Sequence, residues 1–158
     1  MDEGQCEAIG LSNVSLEQAR AIFEVARIKP AVVHVESHPY LPQWDLLDYC
    51  RKNRIVLQAF AALGHSSEPK LLEDPVIAAI AKRVNKSPAQ VLLAWAIQRG
   101  TALLTSSKTP SQIKENFEVS ALPQDAMREI SEGIKSRVRF NAVVETGVPG
   151  FIPRGKEG

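Results

Sequence analysis

Within the ten residues AVVHVESHPY, Ala31 to Tyr40, a histidine and a glutamate stand two positions apart, at His34 and Glu36. Side chains alternate across a β-strand, so this spacing puts Val32, His34 and Glu36 on one face and Val33 and Val35 on the other. On a shared face, His34 and Glu36 form either an acid/base pair for proton transfer to a small molecule or a structural ion pair. His38-Pro39 follows as a corner-former at the strand's end. Two other clusters carry polar side chains suited to binding. Ser12-Asn13 closes an apolar segment, and Ser106-Ser107-Lys108-Thr109-Pro110 leads into a short helical pattern bearing Gln112, Glu115 and Asn116.

The flanking sequence supplies the elements that must hold these groups. Glu7 to Leu11 reads as a strand, and Ser15-Leu16-Glu17-Gln18 as a capping box that opens a helix running to Arg27. Ala31 to Glu36 is the second strand. A helix from Pro42 to Asn53 follows, with Trp44, Leu47 and Cys50 on one face. Ile55 to Phe60 is a third strand and leads into a polar loop that extends to Pro69. Asp74-Pro75 and Ser87-Pro88-Ala89-Gln90 each start a helix, the first with a stripe of Val76, Ile77, Ile80 and Val84, the second with Val91, Leu92 and Trp95. Trp44 and Trp95 thereby read as core or pocket wall. Thr101 to Thr105 is the fourth strand, followed by a helix through Phe117. Pro123 opens a last helix with Met127, Ile130 and Ile134. No sustained period follows, which divides the chain into a domain over 1–135 and a tail over 136–158.

Composition narrows the partners. The 158 residues include 19 basic and 18 acidic side chains, a net charge of +1, which leaves no electrostatic footprint for nucleic acid or an anionic membrane. The longest apolar run, Val91 to Ile97, is too short to span a bilayer. A soluble, cytoplasmic protein acting on a small molecule is the expectation. Cys6 and Cys50 lack the spacing of a metal site and are expected to be reduced thiols buried in packing.

Four strand-then-helix units in series call for a parallel sheet with helical crossovers. The segments GLSNVSLEQ, KPAVVHVESHPYLPQWDLLDYC, LLEDPVIAAIA, SPAQVLLAWAIQRG and TPSQIKENFEV resemble consecutive motifs of the aldo-keto reductases, in that family's order and spacing. The resemblance covers Ala8 to Glu132. It implies an α/β fold corresponding to the second half of a (β/α) barrel, strands five to eight. It also implies NADPH as cofactor and reduction of aldehydes and ketones as activity. The family's catalytic Tyr, with its Asp, Lys and His, belongs to the first half, so none of the four roles is carried onto a residue here.

The resemblance assigns cofactor-binding positions residue by residue. Ser12 and Asn13 match the pair that hydrogen-bonds the nicotinamide carboxamide. His34 stands where the family has a Gln on the same group, and Phe60 where it has a Tyr stacked on the nicotinamide ring. Ser106 and Gln112 replace the Lys and Arg that hold the adenosine 2′-phosphate, while Ser107, Thr109, Glu115 and Asn116 match. Each lost cation removes a charge-assisted bond of about 1.5 to 3 kcal/mol, and Lys108 is the neighbouring cation left to substitute.

Half of a barrel leaves two strand edges unpaired and an inner face open to water. A homodimer that completes the barrel is therefore expected; the competing expectations are that Val138 to Ile152 folds back over the open face, or that the chain is a fragment of a longer reductase. With the proton donor and phosphate grip missing, a non-redox enzyme of isomerase, cyclase or dehydratase type is expected, with His34 and Glu36 as acid/base residues. The alternatives are an NADP(H)-dependent carbonyl reductase active in an assembly, and a non-catalytic binding protein.

Overall fold

Residues 1–65 and 68–141 are described by a computed structural model. The elements run β1 (Gly10–Ser12), α1 (Leu16–Val25), β2 (Val32–Glu36), α2 (Trp44–Lys52), β3 (Val56–Phe60), a 3-10 turn (Leu71–Glu73), α3 (Pro75–Arg83), α4 (Pro88–Gln98), β4 (Ala102–Leu103), α5 (Pro110–Phe117) and α6 (Gln124–Arg128), which continues into a π turn (Glu129–Gly133). The four strands form one parallel sheet in the order β1-β2-β3-β4.

Local chemistry places the helix starts. The Ser15 hydroxyl accepts from the Gln18 backbone N–H at 3.1 Å, while the Gln18 side chain accepts from the Ser15 N–H at 2.9 Å. Ser87 and Gln90 repeat the arrangement at α4. At α3, Asp74 Oδ1 accepts from Val76 N at 2.8 Å and Ile77 N at 3.3 Å, with Pro75 at the position where no N–H is needed.

Several boundaries differ from the sequence expectation. β1 lies at Gly10–Ser12 rather than Glu7 to Leu11, because its only ladder is with β2, which starts at Val32 after Pro30, a residue without an N–H. Ser12, expected to close the strand, is part of it and pairs with His34. Gly10 is required there: a Cβ would meet the Val32 carbonyl oxygen at 2.9 Å. α1 ends at Val25, and α2 starts at Trp44, after Gln43 takes a left-handed conformation (φ 55°). β4 shrinks to Ala102–Leu103, although Leu104 N still donates to Ala59 O at 2.9 Å.

The helices bury one face of the sheet. Val33 and Val35 of β2 and Leu57 of β3 pack with Ala19, Leu46, Leu47, Cys50 and Ile55. A second cluster joins α3, α4 and α6 with Tyr40, Leu71, Leu122 and Phe140. Cys50 is buried, and burial raises its thiol pKa to about 11; Cys6, expected to be buried, is exposed because the chain before β1 packs on little. Ladder partners share a face in a parallel sheet, so the opposite face carries Gly10 and Ser12, Val32, His34 and Glu36, Val56, Gln58 and Phe60, and Ala102.

The segment after the last helix is docked as far as it is described. Val138 N donates to Tyr40 O at 3.1 Å, and the Phe140 ring lies 5.0 Å from that of His38. The rest of the fold-back expectation, from 142 to Ile152, lies outside the described residues. Among the described residues no helix is long and apolar enough to cross a membrane, and no cluster of His, Cys, Asp and Glu is arranged to hold a metal ion.

Candidate ligand site at the carboxyl ends of the strands

Parallel packing brings the ends of β1, β2 and β3 side by side, and with them Ser12, Asn13, His34 and Phe60. Asn13 turns the chain out of β1 with φ 54°, a conformation that Asn tolerates better than most residues. Its N–H donates to His34 O at 2.9 Å, which fixes the turn against β2. Asn13 Oδ1 and His34 Nε2 are both buried, and neither has a hydrogen-bond partner among the described residues. The His34 ring meets Phe60 edge-on, with centroids 5.1 Å apart. Two buried polar atoms without partners thus lie near each other, one just past the end of β1 and one on the residue of β2 that pairs with Ser12, beside an aromatic ring.

Glu36 is differently placed. It is fully buried, and its carboxylate accepts from Phe140 N at 2.6 Å and His38 Nε2 at 2.9 Å on one oxygen, and from Asn141 N at 2.8 Å and Asn141 Nδ2 at 3.0 Å on the other. A carboxylate only accepts, which assigns the proton of this contact to His38 Nε2. Burial acts to raise the pKa of Glu36, but the bonds from His38, Phe140 and Asn141 outweigh it and hold the carboxyl at about 2. The partner of Glu36 is thus His38 and not the strand neighbour His34: the corner folds His38 back onto the carboxylate. Four bonds on one carboxylate leave it no free capacity as a proton acceptor.

The cluster after β4 lies at the same end of the sheet, beside β3. Ser107 Oγ is 2.5 Å from Gln112 Oε1 and accepts from Thr109 N at 3.2 Å, so the loop closes on neutral groups. Ser106, Thr109 and Gln112 are exposed, and Glu115 and Asn116 are half-buried on α5. Lys114, the cation on α5, faces Glu118 at 3.6 Å.

Two arrangements had no signal in the spacing of residues. Asn141, which completes the Glu36 cluster, stands 105 residues downstream of it. Arg99 is buried with its guanidinium 4.1 Å from the centre of the Trp44 ring and 4.5 Å from that of Trp95, and it donates to Pro42 O. Burial and the neighbouring Arg51 charge lower its pKa. Trp44 is consequently part of an outer sandwich over Arg99 and remains partly exposed instead of joining Leu47 and Cys50 in the core. Tyr40 donates to Asp74 Oδ2 at 2.9 Å, and burial together with that bond and the Asp74 charge pushes its pKa up to about 12.

Comparison with known proteins fits this geometry. The model of the aldo/keto reductase family matches residues 1–135. An aldo/keto reductase of Synechocystis sp. is 46% identical over 126 residues, covering 74% of this chain and 38% of its own length. Aldo-keto reductase family 1 member A1 of Sus scrofa is 42% identical over 161 residues, covering 96% of this chain and 49% of its own. Glycerol 2-dehydrogenase (NADP(+)) of Hypocrea jecorina is 34% identical, covering 92% and 48%. Among solved structures, the aldose reductase of Schistosoma japonicum superposes with a TM-score of 0.85 at 34% identity, over 99% of this chain and 51% of that one. An aldo-keto reductase from a Medee basin deep-sea metagenome library gives 0.82 at 34%, over 89% and 53%. This chain belongs to the aldo/keto reductase family. It spans about half the length of the relatives it matches, and its four β–α units form a parallel half barrel.

Proposed function

We propose that this chain provides the nicotinamide-binding half of a carbonyl oxidoreductase site and is active once the barrel is completed. The observation that carries the reading is the pair of buried atoms without partners, Asn13 Oδ1 and His34 Nε2. A carboxamide offers an NH₂ donor group and a carbonyl acceptor, and Asn13 Oδ1 accepts while His34 Nε2 donates when it carries the ring proton. Phe60 supplies an aromatic surface beside them.

The fit differs at the two ends of the cofactor. The strand-end residues suit a nicotinamide. The loop from Ser106 to Asn116 suits a 2′-phosphate less: Ser106 and Gln112, at the places of the two gripping cations, are neutral, Ser107 and Gln112 bond to each other, and the loop's own cation, Lys108, is exposed. A dinucleotide without that phosphate meets no such deficit. When bound, the group supplies the hydride. The residues of this chain orient its amide through Asn13 and His34, and Glu36 holds the 138–141 segment in place. The proton donor comes from the segment that completes the barrel.

A second reading has its own observation. His34 has a ring nitrogen without a partner, on β2 level with the end of β1, suited to general acid or base work on a carbonyl compound in a non-redox isomerase, cyclase or dehydratase. Glu36, already saturated, takes no part in that chemistry. Fluorescence titration with NADH and NADPH separates the two: saturable micromolar binding, weakened at least tenfold by His34→Ala, supports the cofactor reading. No binding of either nucleotide by a folded chain rejects it. Binding without turnover of an aldehyde by the assembled barrel leaves a nucleotide-binding module.

A further inference from the structure

The corner between β2 and α2 is a closed unit. His38 N donates to Leu41 O at 3.2 Å and Leu41 N to His38 O at 2.8 Å, so His38-Pro39-Tyr40-Leu41 turns as one piece. One end of it carries His38 onto Glu36, and the other leads to the Pro42 carbonyl, just before Gln43 takes its left-handed conformation. That carbonyl accepts two bonds, from Ser37 Oγ at 3.4 Å and from Arg99 Nη2, 57 residues downstream. The 138–141 segment docks on the same piece: Phe140 N and Asn141 N reach Glu36, and Val138 N reaches Tyr40 O at 3.1 Å.

Arg99 burdens the fold electrostatically. It is 5% exposed, its guanidinium lies against Trp44 and Trp95, and its Nε and Nη1 have no hydrogen-bond partner among the described residues. The neighbouring carboxylate, Asp48, pairs with Arg51 at 3.5 Å, and Arg51, which donates to Arg99 O, brings a second positive charge close. A buried cation without a carboxylate destabilises, whereas an apolar side chain of similar length fills a slot between two indoles without desolvating a charge. Stacking on the rings offsets part of this. What the guanidinium adds, and an apolar group lacks, is the bond to Pro42 O.

We infer that Arg99 is a positioning residue: by holding the Pro42 carbonyl it fixes the angle at which the corner leaves β2, and so sets the docking of 138–141 on Glu36. Without that bond the corner keeps its own closure through His38 and Leu41 and swings as a piece, which moves His38 relative to Glu36 and Tyr40 O relative to Val138 together. Alternation along β2 puts His34 on the face of Glu36, so the docked segment borders the face that carries the candidate site. The coupling runs through bonds of this chain and is independent of which ligand binds there.

Amide hydrogen exchange of the full chain tests it. Phe140 N and Asn141 N report on the docked segment, and Ala19 N, bonded to Ser15 O at 2.8 Å in α1, is the reference. Arg99→Met keeps a long unbranched side chain between the indoles and loses the donor; exchange at Phe140 and Asn141 is expected to rise about tenfold more than at Ala19. Arg99→Lys retains a donor for Pro42 O and is expected to keep the segment docked, within about twofold of the reference, even though the lost stacking lowers global stability. In a Glu36→Gln background, where the segment has already lost its carboxylate, Arg99→Met is expected to add less than about twofold. Equal acceleration at all three amides overturns the inference, as do equal effects of the two Arg99 substitutions or additive effects of Arg99→Met and Glu36→Gln. Ser37→Ala, a milder change that leaves every charge in place and removes the other donor to the same carbonyl, keeps the test open if Arg99→Met does not fold: a selective rise at Phe140 and Asn141 supports the Pro42 carbonyl as the joint, and no rise overturns it.

Discussion

Glu36 and Asn141 are joined twice, through the backbone N–H of Asn141 at 2.8 Å and its side-chain Nδ2 at 3.0 Å, both on one carboxylate oxygen. The bond spans from the end of β2 to the segment behind the last helix, and the other oxygen holds Phe140 N and His38.

This carboxylate makes stability depend on acid in a defined window. Its pKa is about 2 in the folded chain against an ordinary value of 4.5. A depressed folded pKa contributes stability that is complete above the unfolded value and is lost as pH falls through the folded one. Stability is expected to drop by on the order of 3 kcal/mol between about pH 4.5 and about pH 2. Urea unfolding across that range measures it. Glu36→Gln should already show the loss at neutral pH and flatten the profile, with the buried N–H groups of Phe140 and Asn141 left poorly paired.

The Arg99 sandwich offers an optical readout, since Trp44 and Trp95 are the two tryptophans of the chain. Arg99→Lys keeps the charge and loses the flat stacking on both indoles. A destabilisation of about 1 to 2 kcal/mol is expected, with a shift in tryptophan emission of the native state. Unchanged emission would show that the stacking does not exist in solution.

Cofactor choice should respond to charge at the β4 loop. The wild type is expected to bind NADH at least as tightly as NADPH. The double substitution Ser106→Lys, Gln112→Arg should tighten NADPH by roughly tenfold or more and leave NADH nearly unchanged, from charge-assisted bonds of about 1.5 to 3 kcal/mol each. Competitive fluorescence titration compares the four affinities.

The two thiols should separate cleanly. Cys6 is exposed, and Cys50 is buried with a pKa of about 11. One equivalent of an aromatic disulfide reagent should react with the native chain and a second only on unfolding, with Cys6→Ser removing the fast phase. Two fast equivalents would contradict the packing around Cys50.

Much of the fold was legible because its signals are local. Ser15-Gln18, Asp74-Pro75 and Ser87-Gln90 carry their hydrogen-bond partners within three residues, so capping chemistry marks these helices directly. The alternation of Val33 and Val35 against His34 likewise predicts which face is buried. Strand ends were less legible: how far β1 and β4 extend depends on the neighbour's ladder and not on their own residue types. The partner of Glu36 was hidden for the same reason, since His34 and His38 are both two residues away and only the corner decides between them. Arg99 lies next to a helix end in sequence, and nothing local indicates that its guanidinium reaches Pro42.

The strand order has a kinetic meaning. Every strand pairs with its neighbour in sequence, but each ladder is parallel and closes over a helical crossover, 22 residues from Gly10 to Val32 and 44 from Gln58 to Ala102, so the sheet forms by closures of intermediate range, one unit after another. The tie from Glu36 to Asn141 spans far more, 105 residues, with the bond from Val138 to Tyr40 beside it. Its closure entropy is recovered only when the rest is in place, which makes it a late event: substitutions at Glu36 should accelerate unfolding and leave the folding rate nearly untouched.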